Sequence, residues 1–257
     1  MKGFYRLLNH EFAAWSRAIV LLSIGVLGSP LLLLHFATKD YASYTVHERY
    51  ETVYMSSGSA IVFLVYVLAL CAFFLKSIYA DYWGSKGIYT YLTLPVRREA
   101  VYFSKLAIFA MCLLLLLAVQ LISIRLGYAL VALRSESDGD VNFVMNNGLF
   151  LSFIRSDFFR LLLPFNAHSI LSTISILIAL ITGFYYGALC ERSKRRWGFL
   201  PLNVAIAIVV HIIANRLNEL INPLNSVYLY WTSGFLLAFS GYFMWHSIRW
   251  MKSGAIA

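Results

Sequence analysis

The chain has 257 residues, of which 60% are hydrophobic and 13% charged, and a formal net charge of +9, with a mean hydropathy of +0.72. A soluble domain of this length cannot hide so much apolar surface, so the composition excludes a water-soluble protein and indicates an integral membrane protein. The basic excess does not make a nucleic-acid binder, because no soluble domain with a base-reading element is left to carry it.

Residues 1–17 come first. A signal peptide is excluded as a reading because the apolar run starts too late and no clean small-residue cleavage site follows, so the segment is expected to be retained. Phe4, Leu7, Leu8, Phe12, Trp15 and Ile19 share one helical face, which predicts an amphipathic helix along the membrane interface. Glu11 projects into that face between Leu7, Leu8 and Trp15. A carboxylate there must pair with a cation, snorkel to water or take up a proton.

A bilayer core needs roughly 20 apolar residues per helix. Six runs fit: 18–36, 60–80, 106–126, 170–189, 200–213 and 227–245, the fifth interrupted by Pro201, His211 and Asn215. None alternates like a barrel strand, so the expectation is an all-α integral membrane protein, one transmembrane domain over 1–257 with about six spans. With the first terminus inside, the segments that fall inside collect Lys and Arg, including "ERSKRRW" at 191–197, whereas acids such as Glu48, Glu51, Asp138 and Asp140 fall outside. That asymmetry predicts both termini in the cytoplasm, with the cations facing anionic lipid headgroups.

Between the second and third runs lies "SKGIYTYLTLPVRREAVYFSKL", from Ser85 to Leu106, within a cytoplasmic connection over 81–105. Tyr91, Leu92 and Leu94 offer apolar contact, Pro95 breaks the helix, and a second helix starts near Arg97 and Arg98. A helix, a break and a second helix with aromatics and paired arginines form a docking surface; the alternative is an interfacial anchor with an aromatic belt. In the third run Gln120, Ser123 and Arg125 lie together. Arg125 must pair, snorkel outward or line a wet path, so Gln120 and Arg125 are candidates for a translocation path. The stretch 134–167 is read as an extracytoplasmic loop, in which "GLFLSFIRSDFFRLLLPFNAH" predicts an amphipathic helix at the outer surface.

Catalytic signals are missing from the sequence. His168 and His211 stand on different runs without HExxH spacing, no GxSxG occurs, and "SESDGDVN" lacks EF-hand order. Cys71, Cys112 and Cys190 fall in or at the ends of runs without CxxC spacing. No catalytic residue, metal site or bound cofactor is expected. Charge rings or a filter, as in a channel, and broken helices in matching halves, as in a secondary transporter, are not discernible.

The order of amphipathic first helix with a central Glu, two spans and then "KGIYTYLTLPVRREAVYFSKLA" resembles the permease subunits of type-2 ABC exporters. The matching residues are Leu94, Pro95, Val96, Arg97, Arg98, Glu99, Ser104, Lys105 and Leu106. The resemblance covers the organisation of most of the chain, its motif only this segment, and where relatives often carry an acid this chain has Tyr89. It implies a coupling helix, with Tyr89, Tyr91, Leu94, Pro95, Arg97, Arg98 and Glu99 facing a separate ATPase subunit. It further implies a second permease copy or paralogue, a bacterial plasma membrane, and export of a hydrophobic or amphipathic compound. The chain has no GxxxxGK[ST], and "GSKG" at 84–87 lacks the phosphate-cradling spacing, so ATP and Mg would sit on the partner. The alternatives are an intramembrane hydrolase or a membrane transporter of another class.

Overall fold

The computed structural model describes residues 2–39, 49–83, 98–137, 148–193, 196–217 and 226–252. Among these the regular elements are all helical: α1 (Lys2–Ala37), α2 (Tyr50–Ser56), α3 (Ser59–Trp83), α4 (Arg98–Ser137), α5 (Gly148–Arg155), α6 (Asp157–Leu162), α7 (Ala167–Arg192), α8 (Phe199–Leu217) and α9 (Ser226–Lys252), with a 3-10 turn at Arg196–Gly198. Five helices carry stretches long and apolar enough to cross a membrane: Phe4–Ala37, Ser59–Ala80, Glu99–Leu133, Ala167–Arg192 and Phe199–Leu217. The protein is thus an all-helical, multi-pass membrane protein. The run at 227–245 is also helical, and the 27 residues of α9 reach about 40 Å at 1.5 Å per residue. Tyr, Trp, Ser and Thr dilute its apolar content, so it is not among the five.

Several boundaries differ from those read in the sequence. Residues 1–17 and the first run form one continuous helix, α1, because no proline or glycine falls between Gly3 and Gly25 to break it. Pro30 lies inside α1, and next to it the Ser29 hydroxyl donates to the Gly25 carbonyl at 2.7 Å. Pro201 does not interrupt the fifth run; it sits in the first turn of α8, where a missing N–H removes no helical bond. His211 and Asn215 meet one turn apart, at 3.0 Å. In the 134–167 stretch, α4 extends to Ser137, and the expected single amphipathic helix is two short ones. Ser156 divides them: its backbone is extended and its side chain accepts from the Phe159 N–H, capping α6.

The chain forms two compact units, one of residues 1–16, 71–112 and 164–257, the other of 17–70 and 113–163; α1, α3 and α4 contribute to both. In the first unit α7 and α9 run parallel. His168 meets Tyr230 near their starts, with ring centroids 6.1 Å apart, and Tyr186 stacks on Phe243 at 4.6 Å near their ends. On α9, Ser233, Ser240 and Ser247 are buried at intervals of seven, as are Leu229, Leu236, Phe243 and Trp250. A seven-residue repeat keeps one seam facing the partner helix, and the serines let the backbones approach closely, which matters where lipid leaves van der Waals contact as the main attraction. Facing them, Ser172, Ser175 and Thr182 of α7 bond carbonyls three or four residues back on their own helix, so their hydroxyls are satisfied without a partner across the seam. Arg216, near the end of α8, is buried and donates to Thr173 Oγ1 at 2.6 Å.

In the second unit, α2 caps α4 through a polar tie and an aromatic layer. The Tyr50 hydroxyl donates to the Ile124 carbonyl at 2.8 Å, and Gln120 Nε2 donates to the Tyr54 hydroxyl at 2.5 Å. Gly127 makes room: a Cβ there would lie 2.6 Å from Leu34 Cδ1 and 2.9 Å from the Tyr50 hydroxyl. Phe159 of α6 packs on Tyr54 edge-on at 5.0 Å, and Tyr128 packs on Tyr50 at 5.3 Å. Burial, and secondarily the neighbouring Tyr54, push the Tyr50 phenol well above its ordinary value; burial does the same for Tyr54.

Candidate functional site

The residues singled out in the sequence converge where α4 begins. In α1, Leu7, Glu11, Trp15 and Ile19 recur every four residues and are all buried, Glu11 to 5% exposure. Phe4 and Phe12, assigned to the same face, are exposed; the buried stripe is therefore narrower than the apolar face suggested. Trp15 seats against Phe73 edge-on, at 4.9 Å, and against Phe74 at 6.0 Å. Phe74 in turn stacks on Phe109 of α4, with centroids 4.0 Å apart and planes 3° from parallel.

Glu11 finds its cation in Lys105. The ammonium lies 3.2 Å from Glu11 Oε1, and both side chains are more than nine-tenths buried. Of the three outcomes open to a carboxylate in an apolar stripe, the structure selects pairing. Lys105 belongs to the stretch that resembles the permease motif, but the sequence does not identify its partner. The available signal was its position at the very start of the third apolar run, directly before Leu106, where a lysine entering an apolar helix needs a carboxylate.

Two further contacts fix the same turns of α4. Glu99, in the first turn, lies 2.6 Å from the Lys252 ammonium at the end of α9. The pair is solvent-exposed and contributes at most about 1 kcal/mol, but it joins an acid at a helix N-terminus to a base at a helix C-terminus, which the helix dipoles favour. Tyr102 is fully buried and meets Tyr185 of α7 edge-on at 4.8 Å. The opening of α4 is thereby held to α1, α7 and α9 within two turns, directly after the connection that carries the double arginine.

Tyr89, Tyr91, Leu94, Pro95 and Arg97 lie outside the described residues. Arg98 opens α4. Gln120 and Arg125, paired in the sequence reading, are not brought together. Gln120 is fully buried beneath α2 against Tyr54, whereas Arg125 is on the exposed surface of α4. Tyr54 of α2, which accepts from Gln120, was missed because a seven-residue helix between two spans leaves no periodic signal. Cys71, Cys112 and Cys190 are buried free thiols. Among the described residues, no group of three or more His, Cys, Asp or Glu side chains is placed to hold a metal ion. Comparison with protein-family models, curated proteins and solved structures finds no match to this chain.

Proposed function

We propose that this chain is the membrane-spanning subunit of an ATP-driven exporter of the type-2 ABC class. In this reading it has six spans, with α9 as the sixth, and both termini in the cytoplasm of a bacterial plasma membrane. It pairs with a second permease copy or paralogue, and a separate ATPase subunit supplies the energy. Within the connection at 81–105, Tyr91 to Arg98 dock on that ATPase, and closure of the nucleotide-binding subunits pushes them.

The observation that supports this reading is the buried Glu11–Lys105 pair at the end of the connecting segment. A pushed connection does work only if the helix it enters is held firmly enough to move its neighbours. An exposed tie yields to water; an ion pair shielded from solvent is far harder to break. Together with the Tyr102–Tyr185 contact and the Glu99–Lys252 pair, it makes α4, α1, α7 and α9 respond as one body to a displacement of the connection, the rigid-body mode by which such switches act.

The reading is tested by coexpression. The purified chain alone is expected to hydrolyse no ATP and to copurify with a cassette ATPase expressed beside it. Robust ATP hydrolysis by the isolated chain, or turnover of a peptide or lipid without ATP, overturns it.

A further inference from the structure

The first unit contains an apolar groove of about 380 Å³ lined by α3, α7 and α8 and by Phe243 of α9, within the size range of small-molecule sites. Its floor is α7, where Ala179, Gly183 and Gly187 recur every four residues. Leu202 of α8 reaches over the glycines: a Cβ on Gly183 or Gly187 would lie 3.5 or 3.3 Å from its methyl carbons. Along the α8 wall, Ile206 and Val210 are 53% and 61% exposed, so the groove is open on that side. From Ile176 to Glu191 it follows about 22 Å of helix, longer than the roughly 15 Å hydrocarbon layer of one leaflet.

The lining is apolar except at one end, where the Tyr79 hydroxyl donates to Glu191 Oε2. Glu191 is exposed, and its other oxygen has no hydrogen bond among the described residues. Tyr79 holds the carboxylate at the mouth, and an ionised carboxylate only accepts. A long apolar slot ending in a fixed, accessible negative charge is complementary to one shape: a hydrocarbon chain carrying a positive head.

We propose that this groove binds a single long-chain amphiphile with an ammonium head, the chain lying along Gly183 and Gly187 and the head against Glu191. Basic residues follow at 192–196, but Glu191 is the charged side chain that lines the slot, so an anionic head seated there would face a carboxylate and an uncharged one would forgo the charge-assisted contact. As the site of the transported compound this rests on the exporter reading; as a binding site it belongs to the chain alone, and the test uses the chain alone.

The full chain in phosphatidylcholine nanodiscs is labelled with a tetradecylammonium carrying a diazirine, and the labelled peptides are read by mass spectrometry. Labelling is expected to saturate on 176–210 and to be displaced by tetradecyltrimethylammonium at concentrations where tetradecyl maltoside and tetradecyl sulfate have no effect. E191Q is expected to weaken displacement by the ammonium compound about tenfold and to erase its advantage over the maltoside. I206W, which fills the slot from an exposed wall position, is expected to abolish labelling at unchanged melting temperature. Labelling spread evenly over all lipid-facing helices, equal displacement by the sulfate, or indifference to E191Q overturns the proposal. So does efficient disulfide formation between two copies of I206C, which would place a second copy in the groove. Saturable labelling by a chain that captures no ATPase leaves the site standing and removes the exporter reading; ATPase capture with evenly spread labelling does the reverse.

Discussion

Glu11→Ala deletes one partner of a pair in which Glu11 and Lys105 are 5% and 6% exposed. The Lys105 ammonium, with so little water access, then loses the Glu11 carboxylate as its counter-ion. Removing one partner of such a pair costs about 3–5 kcal/mol, because the remaining charge is uncompensated. Glu11→Gln keeps an oxygen that can accept from the ammonium, a hydrogen bond to a charged group worth about 1.5–3 kcal/mol, and should therefore cost less than Glu11→Ala. Removing both charges, as Glu11→Leu with Lys105→Met, eliminates the desolvation cost itself; such replacements range from neutral to about 4 kcal/mol stabilising. Reversible unfolding in mixed micelles, followed by circular dichroism, ranks the four proteins. The expected order of increasing stability is Glu11→Ala, Glu11→Gln, wild type, with the double variant at or above wild type. If Glu11→Ala stays within about 0.5 kcal/mol of wild type, or the double variant loses the sum of two single losses, the pair is not the tie described here. The double variant separates stability from function: it should fold and still transmit poorly, because apolar contact slides where an ion pair does not.

Three other expectations rest on the second unit. Tyr50 has its folded-state phenol raised by burial, so its contribution is complete below the ordinary phenol value of about 10 and is lost as pH rises above it; alkaline melting should be less steep in Tyr50→Phe, and identical pH profiles would contradict this. The same variant at neutral pH loses one hydrogen bond, to the Ile124 carbonyl, at about 0.5–1.5 kcal/mol, which thermal melting can check. Gly127→Leu drives a side chain into Leu34 and the Tyr50 hydroxyl and should cost about 1–3 kcal/mol by overpacking; a melting temperature equal to wild type would mean that α2 does not pack there.

The helical class and five of the spans could be read from hydropathy because lipid forces backbone satisfaction within each segment, and long apolar runs then have one solution. Glu11 was legible for the same reason: a carboxylate in an apolar stripe is an anomaly that some partner must resolve. Its partner was not, since which of several lysines approaches it depends on how α1 and α4 cross. The break at Ser156 was missed because a hydrophobic pattern can run through an N-cap serine unchanged, and only the Phe159 N–H it accepts reveals the new helix start. The serine seam of α9 carried a signal, one small residue every seven, that hydropathy averages away. Gln120 looked like a polar group on a path; the α2 tyrosine it serves lies 66 residues away in sequence, beyond the reach of any local pattern.

The proposed coupling role is tested at the segment between α3 and α4. At matched membrane abundance, a cassette ATPase coexpressed with wild type, with Pro95→Ala, with Arg97→Glu plus Arg98→Glu, and with Arg97→Lys plus Arg98→Lys is copurified and its ATP turnover measured. If the segment docks on the ATPase, the proline change re-aims the arginines and the reversal adds like-charge repulsion against an acidic cleft, which costs several kcal/mol at an interface. Retention and turnover should then fall together in the first two variants while insertion is intact. Retention and turnover equal to wild type in all three variants would contradict the account.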